Sequence, residues 1–296
     1  MKNMNDYVIA TASTCDLDVS WLNAHHVPFI PYSFVINGKS YPDECTEATK
    51  DFILSEMKQD HAVSTAAITT FAYYDFFEQF AKEGKNVILL DMTQALSSSY
   101  NNSLIAARDI QEKYPDVKIE VVDTCAVTLI LGLLLKEAAA MHEAGKSMDE
   151  VVTWINVHKQ NWTGRFMVND LKWLRRGGRL SNASAVVGSL LSIKPLIIVD
   201  PQGKLVAYNK VRGTIKARKQ LIEDTARNMN DETKEHETAL IYSGEKAEGE
   251  ELLKEFKEAY PQLTNVNLYR LGPVIMGHIG PGFLATVIYG SPRGEK

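Results

Sequence analysis

The chain has 296 residues, of which 45% are hydrophobic and 23% are charged, and its formal net charge is −5. These values are ordinary for a globular protein and exclude a disordered or fibrous chain. The net negative charge gives no reason to expect nucleic acid as a partner. A chain of this length usually folds into more than one domain, so we expect two.

The first half of the chain alternates between strand and helix patterns. Strands are predicted over residues 7–11, 29–36, 39–41, 86–91 and 118–123. Helices are predicted over residues 20–25, 47–58, 71–82, 97–113, 127–144 and from 148 onward. Asn37-Gly38 marks a hairpin turn, and Ser147 with Glu150 forms a capping box. Because strands that alternate with helices usually pair in parallel under helices, we predict a mostly parallel sheet.

One apolar run lies within the predicted helix at residues 127–144. Residues 126–135 are almost entirely hydrophobic, but this run is too short to span a bilayer and charged residues follow it directly. We therefore expect a buried core helix and no stable membrane insertion. No secretory signal is recognised, and three widely spaced cysteines (Cys15, Cys45 and Cys125) predict free thiols in a cytoplasmic protein.

The second half of the chain has a less regular pattern. Strands are predicted over residues 165–168, 196–199, 204–208, 239–242, 265–270 and 283–289. Helices are predicted over residues 185–191, from 214 onward and over 248–260. The change of pattern near residue 160 predicts two α/β domains, residues 1–160 and residues 161–296.

Several common cofactor and catalytic motifs are missing or lie in the wrong context. Gly145-Lys146-Ser147 ends like a phosphate-binding loop, but it follows a helix pattern instead of a strand. The glycine-rich residues 277–282 precede a strand, which does not fit a dinucleotide site. No Gly-x-Ser-x-Gly elbow occurs, and the seven histidines have no metal-ligand spacing. We therefore expect no cofactor and no metal ion.

Hydroxyl side chains gather near the predicted carboxyl ends of strands, where open α/β sheets bind their ligands. The hydroxyl-bearing segments are Ser13-Thr14, Ser64-Thr65 and Ser97-Ser98-Ser99. They supply hydrogen-bond donors and no strong base, which suits an anion such as a carboxylate or phosphate near a helix N-terminus. Ser97 can equally be only the cap of the helix that follows, and Ser64 and Thr65 plain loop residues.

Two other segments have both a structural and a functional interpretation. His278 lies between glycines, which favours a side chain that faces a site, although a lone histidine is more often structural. The basic residues 175–179 surround the pair Gly177-Gly178. They form either a solvated turn or a surface that docks a partner or a phosphate.

Seven short motifs lie in order along nearly the whole chain. They are Thr11-Ala-Ser-Thr-Cys-Asp-Leu17, Leu96-Ser-Ser-Ser-Tyr100, Asp123-Thr124, Leu174-Arg-Arg-Gly-Gly-Arg-Leu180, Ser192-Ile-Lys-Pro195, Lys210-Val-Arg212 and His278-Ile-Gly-Pro-Gly282. In this order they resemble the motifs of the DegV family, the fatty-acid-binding proteins that serve bacterial fatty acid kinases. The chain departs from the family pattern at Ala12, at Ser98 and at Ala66-Ala67, where the family has Asp, Gly and Gln-Pro.

The resemblance implies a two-domain α/β fold of the DegV type. Its first domain, residues 1–160, is expected to bury the acyl chain of one long-chain fatty acid. Residues 161–296 are expected to close the site around the carboxylate, near the domain interface. The protein is then a carrier that presents the fatty acid to the catalytic subunit of a fatty acid kinase. It supplies no nucleophile and is not itself an enzyme.

The resemblance also implies roles for individual side chains. Ser97, with Ser98 beside it, is expected to hold the carboxylate. Ser64 is expected to supply a second hydroxyl, with Thr65 in reserve, and His278 to lie close by. The family's arginine after the glycine pair corresponds to Arg179. That residue is expected to dock the kinase.

Two other functions remain open at this point. The fold also resembles domains of dihydroxyacetone kinases and sugar phosphotransferase subunits, where a histidine reacts with substrate or phosphate. Against this alternative, the first domain places no histidine at a strand end. The other alternative is a binding or regulatory module for a different small amphiphile or anion, which the changes at Ala12 and Ala66-Ala67 leave open.

Overall fold

The structure is a computed structural model in which residues 7–169, 172–179 and 192–294 are described. In chain order the strands are β1 (Tyr7–Ala12), β2 (Phe29–Ile30), β3 (Ser33–Ile36), β4 (Lys39–Pro42), β5 (Val63–Ala66), β6 (Asn86–Asp91), β7 (Ile119–Asp123), β8 (Trp162–Met167), β9 (Ile193–Val199), β10 (Leu205–Arg212), β11 (Thr238–Tyr242), β12 (Val266–Arg270) and β13 (Leu284–Tyr289). The helices are α1 (Val19–Ala24), α2 (Glu47–Lys58), α3 (Thr70–Lys82), α4 (Ser99–Lys113), α5 (Leu129–Glu143), α6 (Met148–His158), α7 (Lys172–Gly177), α8 (Thr214–Thr225), α9 (Lys246–Ala259) and α10 (Pro273–Ile279). The helix predicted over residues 185–191 lies outside the described residues.

The first sheet is entirely parallel, with the strand order β2-β1-β6-β7. Its central strands, β1 and β6, are mostly apolar and almost completely buried, as strands covered on both faces usually are. Helices α3 and α4 pack on each other and on β6 and β7, while α5 packs on β1 and β6. The predicted parallel α/β sheet is therefore confirmed for the first half of the chain.

A smaller sheet is antiparallel and has the strand order β4-β3-β5. Asn37 and Gly38 join β3 to β4 with φ angles of 51° and 78°, the backbone of a tight hairpin, as predicted. The alternative in which Ser64 and Thr65 are plain loop residues is wrong, because both lie in β5 and pair with β3. The strand consists of only four residues, VSTA, which are too few to show a clear strand pattern in the sequence.

The predicted single strand over residues 29–36 is also wrong. Residues Phe29–Ile30 pair with β1 in the parallel sheet, whereas Ser33–Ile36 pair with β4 and β5. Pro31 separates the two, since it has no N–H to donate to a ladder. Its neighbour Tyr32 is thereby turned into the interior, where only 2% of its surface is exposed.

The second sheet has the strand order β10-β9-β8-β13-β11-β12. Every neighbouring pair is antiparallel except β11 and β12, which are parallel. The last strand in the chain, β13, therefore lies in the middle of the sheet between β8 and β11. Helices α8 and α9 pack on this sheet.

Helix α5 joins the two sheets into one core. Its residues from Leu129 to Leu135 are all buried, and it contacts β1 and β6 of the first sheet and β8, β11 and β13 of the second. A helix that is apolar on every side is stable only when it is surrounded by protein. The prediction that residues 126–135 form a buried core helix is therefore confirmed from Leu129 onward, while residues 126–128 are buried but precede the helix. Apolar residues of both halves share a single cluster.

Candidate functional site

A largely apolar pocket lies between the two sheets. The space between its walls is about 780 Å³, including the part open to solvent. Its apolar lining includes Val127, Ile130, Phe166, Ile241, Phe283 and Val287. These residues come from the start of α5 and from the face of the second sheet that α5 covers. Pockets of this kind, with apolar walls and a few polar groups, are typical binding sites for small molecules.

The shape of the wall follows from strand alternation. Gly164 and Phe166 on β8, and Ala285 and Val287 on β13, lie two residues apart and so point to the same side of the sheet. Gly164 is needed there because a Cβ atom would overlap the side chain of Ile130. The absence of a side chain lets α5 approach the sheet closely beside the pocket.

Polar side chains gather in one part of the lining. The hydroxyl of Thr65 on β5 lies 2.8 Å from Nε2 of His278 on α10. The phenol of Tyr32 lies 3.3 Å from Oγ of Ser97. Arg179 connects the two pairs, because its Nε donates to the carbonyl of Leu96 at 3.4 Å and its charge acts on His278. The five residues that carry these side chains all line the pocket: Tyr32, Thr65, Ser97, Arg179 and His278.

His278 lies in helix α10, close to its C-terminal end and within the glycine-rich residues 277–282. Pro273 occupies the first turn of α10, and Gly280, with a φ of 85°, ends it. Val274, Ile275, His278 and Ile279 all line the pocket, which is the spacing of one helix face. Met276 and Ile279 are buried as well, so the segment forms a helix with an apolar face despite Gly277.

The ring of His278 is neutral at physiological pH. Burial disfavours the charged imidazole, and the positive charge of Arg179 adds to this effect, so the pKa of His278 is lowered to about 4. A neutral imidazole has one N–H and one acceptor nitrogen. When Nε2 carries the hydrogen, His278 donates to Thr65 and leaves the threonine proton free to point into the pocket.

Ser97 lies at the site, in the loop that precedes α4. Its Oγ accepts a hydrogen bond from the N–H of Ser99 at 3.2 Å, so it also supports the start of the helix. Ser98 is the residue before the helix, but its side chain is exposed, makes no capping bond and is not among the pocket-lining residues. The two interpretations of Ser97, helix support and site residue, are therefore compatible.

The structure separates Ser64 from the other predicted site residues. Ser64 is exposed, while Thr65, its neighbour on β5, lines the pocket and contacts His278. Successive residues of a strand point to opposite faces, so the two hydroxyls cannot serve the same site. Ser13 lies elsewhere and accepts a hydrogen bond from the N–H of Tyr32 at 3.1 Å.

Tyr32 also lines the pocket, although it lay inside the strand predicted over residues 29–36 and was not among the predicted site residues. Pro31 was the available signal, because proline rarely occurs inside a paired strand and here marks the point where the chain leaves the sheet.

The described residues contain neither a metal-binding cluster nor a membrane-spanning helix. Over residues 7–169, 172–179 and 192–294, no group of three or more His, Cys, Asp or Glu side chains is arranged to hold a metal ion. None of the helices in that part of the chain combines the length and apolar character needed to cross a membrane.

The match to known proteins covers almost the whole chain. The model of the DegV family, described as "Uncharacterised protein, DegV family", matches residues 7–291. The chain belongs to the DegV family. A DegV domain-containing protein of Clostridium perfringens is 34% identical over 294 residues, covering 98% of this chain and 99% of the relative. A DegV domain-containing protein of Streptococcus pyogenes is 33% identical over 285 residues, covering 96% and 98%.

Solved structures of DegV proteins have the same fold. A fatty-acid-binding DegV family protein from Streptococcus agalactiae is 27% identical with a TM-score of 0.83, covering 96% of this chain and 99% of the other. A stearic-acid-binding protein from Eubacterium ventriosum is 25% identical with a TM-score of 0.80, covering 96% and 98%. The predicted DegV-type α/β fold is confirmed.

Proposed function

We propose that this protein binds one long-chain fatty acid, with the acyl chain in the pocket between the two sheets and the carboxylate at Ser97, Thr65 and His278. The observation that carries the proposal is a long apolar wall that leads to a small group of neutral hydrogen-bond donors. The DegV proteins of Streptococcus agalactiae and Eubacterium ventriosum, described as fatty-acid-binding and stearic-acid-binding, support it.

The apolar wall provides most of the binding energy in this proposal. Each buried methylene contributes about 0.8 kcal/mol, so some fifteen methylenes supply on the order of 10 kcal/mol before ordering costs. Because walls from β8, β11 and β13 contribute alongside α5, we place the acyl chain between the domains rather than within residues 1–160 alone.

The polar groups orient the carboxylate instead of reacting with it. We assign the second hydroxyl to Thr65 rather than to Ser64, because Thr65 lines the pocket and His278 directs its proton. Arg179 lies beside both His278 and Leu96, so its guanidinium can balance the carboxylate charge. An unpaired buried charge is strongly unfavourable, so this balance favours retention of the ionised acid.

Presentation to a fatty acid kinase is the second part of the proposal. Arg179 is exposed while it also lines the pocket, which suits a residue that meets a partner at the mouth. The kinase transfers the phosphoryl group to the carboxylate, and this protein supplies no nucleophile. We place it in the cytoplasm, where the free thiols of Cys15, Cys45 and Cys125 are stable.

A phosphorylated-histidine mechanism fits the site poorly. Nε2 of His278 is engaged by Thr65, and the side of the ring that carries Nδ1 packs against Gly177. A phosphate on Nε2 would have to displace Thr65, and a phosphate on Nδ1 would need room beside Gly177. This contact disfavours the phosphotransferase alternative.

The test is to extract the purified protein with organic solvent and to identify bound lipid by mass spectrometry. We expect about one C14–C18 fatty acid per chain. Ser97→Ala should weaken fatty acid binding about tenfold, which corresponds to about 1.4 kcal/mol, whereas the exposed control Ser64→Ala should change it less than twofold. Lipid-free protein that also fails to bind added fatty acid contradicts the proposal. If a fatty acid kinase does not phosphorylate the fatty acid bound to this protein, only the presentation step is contradicted.

A further inference from the structure

The phenol of Tyr32 is held rigidly inside the pocket. Its backbone N–H donates to Oγ of Ser13 at 3.1 Å, and its carbonyl accepts from the N–H of Asp43 at 2.8 Å. The side chain is 2% exposed and lines the pocket. Two backbone bonds and full burial therefore fix the point from which its hydroxyl reaches Ser97.

The Tyr32 hydroxyl is a donor in this arrangement. Burial, followed by the negative charge of Asp91, raises the pKa of Tyr32 well above that of an ordinary phenol, so the group keeps its proton. Asp91 itself already accepts from the phenol of Tyr73 at 2.6 Å and from the N–H of Met92 at 2.7 Å. The Tyr32 hydroxyl donates to Oγ of Ser97 at 3.3 Å.

The hydrogen bonds of Ser97 can then be counted. A serine hydroxyl has two acceptor positions and one proton. The oxygen of Ser97 accepts from Tyr32 at 3.3 Å and from the N–H of Ser99 at 3.2 Å, so both acceptor positions are occupied. Only the proton of Ser97 remains available to another molecule.

The Ser97 proton can turn away from Ser99, and Ser99 then still has a hydrogen-bond partner. The Ser97 proton points to Oγ of Ser99 at 3.1 Å. The same oxygen of Ser99 also accepts from the N–H of Ile68 at 2.9 Å. When the Ser97 proton turns into the pocket, Ser99 keeps this bond, so the rotation exposes no unsatisfied buried group.

We propose that Tyr32 is a specificity-determining residue that forces Ser97 to act only as a hydrogen-bond donor and so selects headgroups that only accept. This inference rests on the proposed fatty acid site and deepens it. An ionised carboxylate has no proton to place. A fatty alcohol or a fatty amide must place an O–H or N–H, and here Ser97 has no acceptor position for it.

The test compares hexadecanoic acid, hexadecanol and hexadecanamide as ligands of the delipidated full chain, by displacement of a fluorescent fatty acid. We expect the acid to bind at least tenfold more tightly than the two neutral ligands. In Tyr32→Phe the ring remains and the hydroxyl is lost, so the oxygen of Ser97 regains an acceptor position. We expect the acid-to-amide preference to fall about tenfold, chiefly through tighter amide binding, because the amide N–H can then donate to Ser97.

Two further variants separate this role from a general effect on the pocket. Tyr41→Phe makes the same chemical change on β4, outside the pocket lining, and should leave all three affinities unchanged. In the Ser97→Ala background, Tyr32→Phe should have less than a twofold further effect, because the phenol acts through Ser97. Because Ser97 is only half-buried, we expect Ser97→Ala to fold. Its acid-to-amide preference therefore tests the inference even if Tyr32→Phe is unstable.

Four outcomes overturn the inference. Equal losses for acid and amide in Tyr32→Phe mean that the phenol only shapes the pocket. Additive effects of Tyr32→Phe and Ser97→Ala mean that it does not act through Ser97, and the same conclusion follows if Ser97→Ala keeps the acid-to-amide preference. In these cases the fatty acid site stands. If the unaltered protein binds none of the three ligands, the proposed function fails and the inference fails with it.

Discussion

At the scale of single residues, Gly177 keeps space open for the ring of His278. A Cβ atom at Gly177 would overlap Nδ1 of that ring. The next residue, Gly178, has a φ of 66° but no atom within 4 Å of its would-be Cβ. The first glycine of the pair therefore serves the site, and the second serves the backbone turn.

Gly177→Ala should displace His278 and break its hydrogen bond to Thr65. We expect fatty acid affinity to fall about tenfold, near the cost of one hydrogen bond to a buried group. The unfolding transition should shift little, because the ring can move. The control is Gly178→Asn, since asparagine tolerates a positive φ and meets nothing nearby. Equal binding by Gly177→Ala and the unaltered protein, measured by fluorescent fatty acid displacement, contradicts this role.

Asp91 illustrates the cost of a buried carboxylate behind the site. Burial raises the pKa of its carboxyl from 3.8 to about 6, although the hydrogen bond from Tyr73 partly opposes this effect. The folded protein therefore holds this proton more tightly than the unfolded chain. The contribution of Asp91 to stability is complete below pH 3.8 and is lost as the pH rises through about 6.

Asp91→Asn should remove that pH dependence. The free energy of unfolding of the unaltered protein, minus that of the variant, should fall by roughly 2 kcal/mol between pH 4 and pH 7. Urea titrations at a series of pH values measure the difference. Asp16 and Asp43 also have raised pKa values, but they are present in both proteins and cancel. A difference that is constant with pH contradicts the raised pKa of Asp91.

At the scale of elements, long periodic segments were predictable and short ones were not. Helix α5 and strand β6 were found because many buried apolar side chains repeat along them. Strand β5 has only four residues, two of them hydroxyl-bearing, and it forms because β3 is available to pair with it. Such an element depends on tertiary contacts that a local pattern does not contain.

The site could be predicted only in part for the same reason. The motif around Ser97 lies at the end of a strong strand, so its position near a site followed from the fold. The choice between Ser64 and Thr65 required the register of β5, because a shift of one residue reverses the face of every side chain. Tyr32 required the break at Pro31, which the hydrophobic pattern of residues 29–36 concealed.

The start of α6 provides an element-scale prediction. Oγ of Ser147 accepts from the N–H of Glu150 at 3.3 Å, and the Glu150 carboxylate accepts from the N–H of Ser147 at 2.8 Å. Ser147→Ala should lower the free energy of unfolding by about 1 kcal/mol. Ser55→Ala, in the exposed middle of α2, should cost nothing or stabilise slightly, because alanine favours a helix. Urea unfolding distinguishes the two, and equal losses contradict the capping role.

At the scale of the whole molecule, Arg293 ties segments of both halves together. Its guanidinium donates to the carbonyls of Lys159 at 2.9 Å and Asp200 at 3.2 Å, and also to the carbonyl of Cys125. The residue is 7% exposed. Burial lowers its pKa to about 10, so it remains charged at neutral pH.

Arg293→Met should lower the free energy of unfolding by about 3 kcal/mol, because several buried carbonyls lose a charged donor. Arg108→Met is the matched control, since Arg108 is exposed and its ion pairs with Asp109 and Glu112 lie at the surface. The control should change stability by less than about 0.5 kcal/mol. A loss of similar size in both variants contradicts the role of Arg293 as a buried tie.

The central position of β13 has a consequence for the order of events during synthesis. Translation produces this strand after all its neighbours, yet it lies between β8 and β11 and contributes Ala285 and Val287 to the pocket wall. Until it emerges from the ribosome, the second sheet is divided and the apolar face of α5 is only partly covered. The pocket therefore has no complete wall until β13 has emerged and paired, so the proposed ligand can be captured only late in synthesis.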